Sequence, residues 1–234
     1  MTRVALITAD APVSACSNAR LRALLPHLEQ EFEVQVFVGS DCAATELAGR
    51  TVAKAASFAP KNFERVLYFV ENVREHAFML PMIRDFGGVV VLHDWMLGEL
   101  ALAARPTLAL TGLMGQLAAW REGGRVAWAA QRRGGTQLML DSLPLNRSVV
   151  RHADAFIVPE GEWKRDILVE RNAHTPIAVI PWRRDANPET LAQAAPRFIE
   201  SLNLLPAHRT NRKSLIRSAI DEADRARETR DTAW

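Results

Sequence analysis

Cysteine is nearly missing from this sequence: Cys16 and Cys42 are the two in 234 residues. Two such thiols exclude a disulfide framework, and no histidine stands at metal-ligand spacing, so both read as free thiols and no metal is implied. Long apolar runs are also missing. Hydrophobic residues make up 48% of the chain, yet no stretch approaches the roughly 20 consecutive apolar residues that span a bilayer. The opening Met1-Thr2-Arg3 runs directly into Val4-Ala5-Leu6-Ile7, which is too short for a secretory leader and lacks a small-residue cleavage site. These absences point to a cytoplasmic chain with no membrane span. A formal net charge of +2 gives no basic excess of the kind that nucleic acid requires.

Glycine is absent where a dinucleotide site would need it. A nucleotide-dependent dehydrogenase carries G-x-G-x-x-G after its first strand, so that backbone amides can approach a pyrophosphate. Here the stretch reads Ala9-Asp10-Ala11-Pro12-Val13-Ser14-Ala15-Cys16-Ser17-Asn18. Neither a G-x-S-x-G elbow nor a phosphate loop ending in Gly-Lys-Ser/Thr occurs elsewhere. No cofactor is therefore expected.

What is present is an alternation of short β-branched runs with longer segments of helical period, the pattern of βαβ units around a parallel sheet. Strands are predicted at Val4–Thr8, Phe32–Val38, Val66–Phe69, Gly88–Leu92, Ala155–Val158 and Ile177–Ile180. Most are apolar on both faces, as in a sheet covered by helices on both sides. Helices are predicted over Ala19–Glu29, with Ser17 or Asn18 as cap, and over Asn72–Arg84. The segment Met96–Arg151 reads as helix-rich and broken by Gly123-Gly124 and Gly134-Gly135 into a mobile region beside a cleft. Beyond Pro181 two helices are expected, Pro188–Leu202 and roughly 210–230. The predicted fold is a single doubly wound Rossmann-like α/β domain over residues 1–182, with a helical tail over 183–234.

Ligands of open parallel sheets bind beyond the carboxyl ends of the strands, which directs attention to Leu92-His93-Asp94. Histidine there can accept a proton or hold a sugar hydroxyl. Asp94 has an alternative use as the cap of a helix starting near Trp95 or Met96. His76, on the helix before that strand, would share a face with Asn72 one turn away. The tryptophans Trp95, Trp120, Trp128, Trp163 and Trp182 offer either stacking faces for a sugar or packing.

Taken together, Leu67-Tyr68-Phe69-Val70-Glu71-Asn72-Val73-Arg74-Glu75-His76 and Gly88-Val89-Val90-Val91-Leu92-His93-Asp94 resemble the N-terminal domain of glycosyltransferase family 4, a GT-B fold family. Leu145-Asn146-Arg147, Ala153-Asp154-Ala155-Phe156-Ile157-Val158 and Pro176-Ile177-Ala178-Val179-Ile180-Pro181 extend the likeness over about residues 3 to 182. The resemblance implies that His93 is catalytic, facing sugar or acceptor, and that Asn72, His76 and Asp94 bind substrate beside it.

Three departures stand against it. The first loop lacks the family's glycine, and Glu71 replaces the glycine expected before Asn72. After the hinge, Trp182-Arg183-Arg184-Asp185 leads directly into a segment resembling the family's final helix, where a donor-binding domain would normally intervene. Losing one preorganised donor to a developing anion costs on the order of 10² to 10³ in rate, so losing the diphosphate clamp predicts no turnover by this chain alone. The implied function is the acceptor-side half of a split or truncated enzyme transferring a hexose from a nucleotide sugar. The alternative is a non-catalytic assembly module that kept the fold. Expected partners are a separate donor-binding subunit or further copies of the chain, with a sugar or glycan acceptor. Tail residues Leu191, Ala195, Phe198, Ile199 and Leu202 fall on one helical stripe that should bury against the domain. Leu215, Ile216, Ala219, Ile220 and Ala223 form a second stripe suited to association.

Overall fold

The computed structural model describes residues 1–9, 15–47, 49–171, 174–181 and 188–205, with backbone alone for 15–20 and 188–192. Seven strands form one parallel sheet: β1 (Thr2–Ile7), β2 (Phe32–Val38), β5 (Ala53–Lys54), β6 (Arg65–Val70), β7 (Val89–Leu92), β8 (Ala155–Val158) and β9 (Ile177–Val179). Their spatial order is β5-β2-β1-β6-β7-β8-β9, and every pairing is parallel. Two short strands, β3 (Glu46–Leu47) and β4 (Arg50–Thr51), form a separate antiparallel hairpin between β2 and β5. The order runs outward one way from β1 and outward the other way from β6, which is the arrangement of a doubly wound, Rossmann-like sheet.

Alternation along the strands feeds two cores. Leu67 and Phe69 of β6, with Val89 and Val91 of β7, face a cluster containing Leu21, Leu25 and Leu28 of α1 (Ala15–Glu31). Val66, Tyr68 and Val70, with Val90 and Leu92, face the opposite layer. That layer consists of α2 (Met79–Phe86), α3 (Gly98–Ala104), α5 (Arg147–His152) and α6 (Gly161–Glu170). Side chains two apart share a face of a strand, so near-continuous apolar runs such as Val89-Val90-Val91-Leu92 supply both cores at once.

The expected strands all form, within two residues of their predicted limits. Helix α1 begins at Ala15, ahead of the caps Ser17 and Asn18 that the sequence suggested. The helix predicted over Asn72–Arg84 is instead a 3-10 turn at Arg74–His76 followed by α2, because Val73 is extended (φ −131°, ψ 149°). The glycine-interrupted region is not an open loop. It is the long element α4 (Gly112–Ser142), bent at Gly124 (φ 68°) and Gly135 (φ 72°), two left-handed positions that glycine adopts without steric cost.

After β9 the chain passes through residues 180–187 into α7 (Pro188–Leu204), which packs along α1 on the first layer. Ala195, Phe198 and Leu202 are buried there, and Ile199 is partly so. Phe198 stacks on Phe69 with centroids 6.3 Å apart. Arg65, at the start of β6, donates to the carbonyls of Leu205 (2.5 Å) and Asn203 (3.2 Å), satisfying acceptors that a helix C-terminus leaves open. The Leu191 side chain, Trp182 and the second stripe from Leu215 to Ala223 lie outside the described residues.

Candidate functional site

At the carboxyl edge, β1 and β6 are neighbours whose connections depart in opposite directions, and a crevice opens where the winding reverses. A cavity of about 630 Å³ lies there, lined by Ala9 after β1, Gly39, Asp41 and Cys42 after β2, and Arg74 and Phe78 after β6. Small-ligand sites span roughly 300 to 1,000 Å³, so the size suits a sugar or nucleotide fragment. The far wall is fixed by Lys54 of β5, whose ammonium donates to the carbonyls of Cys42 and Ala44.

The four residues singled out from sequence gather at the ends of β6 and β7. The Asn72 amide donates to Asp94 Oδ2 at 2.9 Å, joining the two strand-end loops. Its side-chain Oδ1 accepts the amides of Glu99 (2.9 Å) and Leu100 (3.2 Å). Asn72 thereby caps α3 from outside, using orphan donors of the first turn. Helix α3 starts at Gly98, so Asp94 does not cap it; its carboxylate ties down the loop after β6 instead.

His76 is fully buried. Its Nδ1 accepts the Glu71 amide at 3.0 Å, which requires the tautomer with hydrogen on Nε2, and Nε2 makes no hydrogen bond among the described residues. Burial alone depresses its pKa from 6.5 to about 4, because an imidazolium there would lose its hydration. His76 is thus a neutral positioning residue that closes the Glu71–His76 turn. Glu71 is itself buried, a carboxyl-bearing side chain at the end of β6 where the resemblance called for glycine.

His93 occupies the opposite side of the same edge. Its amide donates to the Val70 carbonyl at 3.0 Å, extending the β6–β7 ladder by one residue. Its ring stacks on Phe69 with centroids 5.6 Å apart and planes 27° apart. Phe198, Phe69 and His93 therefore form one column running from α7 to the rim of the sheet. The Arg74–His76 turn packs on α3 in the other layer, so His76 and His93 are separated by the sheet edge. The edge collects all four residues, outside the lining of the cavity, and gives them two tasks: Asn72, His76 and Asp94 hold the loops, and His93 is buried against Phe69 at the strand end.

A further constellation gave no local sequence signal. Glu122 of α4 is buried, accepting from Arg105 (2.5 Å), the Ser148 hydroxyl (2.8 Å) and the Ser148 amide (3.1 Å). It borders a cavity of about 280 Å³ with Trp95, Gly124, Asn146 and Arg147. Arg105, Glu122 and Ser148 are far apart in sequence and meet where α4 packs against α3 and α5. Trp95 and Trp163 pack against each other with centroids 5.8 Å apart, Trp128 carries the Arg132 guanidinium over its ring, and Trp120 is exposed.

Fold and edge together define a Rossmann-like α/β protein with a ligand-sized crevice at its winding reversal. No protein family matches the chain, and no curated protein matches it.

Proposed function

We propose that this chain is the acceptor-side half of a GT-B-type glycosyltransferase, binding a sugar or glycan at the carboxyl edge of its sheet and lacking a donor clamp of its own. The observation that carries the reading is that α7, the next element described after β9, packs along α1 and under Phe69. A GT-B enzyme ends its first domain in the same way, but only after a donor-binding domain that these residues do not contain. The position of the His93-Asp94 pair at the end of β7 supports it, since ligands of open parallel sheets bind beyond that edge and imidazole is a side chain able to hold a sugar hydroxyl. Glu71, buried at the end of β6 where the resemblance calls for glycine, favours the second reading, a non-catalytic assembly module, because it departs from the family's pattern next to Asn72.

Nucleotide-sugar turnover and acceptor binding are measured on the same pure protein. The expected result is no turnover of common nucleotide sugars, with saturation-transfer NMR detecting a mono- or oligosaccharide whose signal is lost in His93→Ala. Turnover by the pure chain that disappears in His93→Ala would overturn the half-enzyme reading. Absence of any sugar contact would leave the assembly module as the function.

A further inference from the structure

The first turns of α4 wear their large apolar side chains on the outside. Leu113 is 71% exposed, Met114 59%, Leu117 46% and Trp120 44%, whereas the residues between them that turn inward are the small Gly115, Ala118 and Ala119. Leu113, Leu117 and Trp120 fall at i, i+4 and i+7, one stripe of a helix. A stripe of this kind ordinarily faces a core, and contiguous exposure marks an interaction surface.

The charges on the same element have one sign. Glu122 is buried against Arg105, and the exposed charged side chains from Gly112 to Leu140 are Arg121, Arg125, Arg132 and Arg133. Asp141 follows only in the last turn. Two copies meeting through this face would set arginines against arginines, which is unfavourable. A surface that takes leucine, methionine and tryptophan into an apolar boundary and arginine into an anionic layer matches both features at once.

We propose that α4 rests on the surface of an anionic lipid bilayer, with Leu113, Leu117 and Trp120 entering the acyl boundary and its arginines among the headgroups. No described helix is long and apolar enough to cross a membrane, so the contact is peripheral. The bends at Gly124 and Gly135 divide α4 into shorter helices, and Val126 on the second piece is also 63% exposed. The inference is independent of the sugar reading.

The test is flotation of the full chain with vesicles of phosphatidylcholine, alone or mixed with phosphatidylglycerol. Binding is expected to require the anionic lipid and to weaken with salt. Arg132→Gln with Arg133→Gln should lower partitioning about 30-fold, from about a fivefold contribution per arginine. Leu113→Ser with Leu117→Ser should lower it roughly tenfold or more, while melting stays unchanged because both side chains are exposed. Equal affinity for neutral and anionic vesicles, no binding at low salt, or binding retained by the double-serine variant would each overturn the proposal. So would sedimentation in which the double-serine change converts a dimer to a monomer without lipid, for then a second copy covers the face.

Discussion

The behaviour of His76 follows from its surroundings rather than its residue type. In the unfolded chain it protonates near pH 6.5, and in the native state only near 4, because burial penalises the imidazolium. Between those values the unfolded state holds a proton that the native state does not, so native stability falls as pH drops from 6.5 toward 4 and is complete above 6.5. At about 1.4 kcal/mol per pH unit, the whole interval is worth on the order of 3 kcal/mol. Urea unfolding across that range should therefore show a shallower pH slope in His76→Gln than in the wild type, by up to one proton. Identical slopes would place a charged His76 in the native protein. His93 was recognisable from its position after a β-branched run, but the supporting task of His76 was not. Its partner is the backbone amide of Glu71, and a backbone partner leaves no trace in residue identity.

At the scale of elements, the sheet was legible and its trimmings were not. Val89-Val90-Val91-Leu92 and Ala155-Phe156-Ile157-Val158 are apolar at every position because each strand serves two cores, and that made them visible. Strand β5 is only Ala53-Lys54, anchored by two register pairs to β2, too short for any period to emerge. The Asn72–Arg84 segment has helical composition yet starts as a turn, since long-range bonds to Asp94, Glu99 and Leu100 hold Asn72 out of the helix. That geometry makes Asn72 chiefly a cap of α3. Asn72→Ala leaves two first-turn amides without their acceptor and should cost about 1 kcal/mol, a fall in Tm of roughly 2 to 4 °C for a domain of this size. Calorimetry would decide the matter: an unchanged Tm in Asn72→Ala would remove the capping role and return the side chain to the crevice as a ligand group.

For the whole molecule, the decisive feature is that α7 completes the first layer. Without it, Phe69, Val89, Val91 and Ile157 would line a sheet face covered, among the described residues, mainly by α1 and the β3–β4 hairpin. Arg65 holds its end through the Leu205 and Asn203 carbonyls, and Phe198 plugs its middle. Helix α7 also supports the rim, because Phe198 underlies Phe69 and Phe69 underlies the His93 ring. Phe198 is 3% exposed while Leu204 on the same helix is 80% exposed, which supplies an internal control. Phe198→Ser removes a buried ring and leaves a hydroxyl in its place, at a cost of about 3 kcal/mol or more, so Tm should fall by roughly 6 °C or more. Leu204→Ser, a change at an exposed position, should stay within about 0.5 kcal/mol of the parent. The same Phe198→Ser protein, studied below its melting point, should show displaced His93 imidazole resonances, since the base of the column is gone. Equal melting of the two variants would mean that α7 is not docked on the sheet, and the return path on which the half-enzyme reading rests would fail with it.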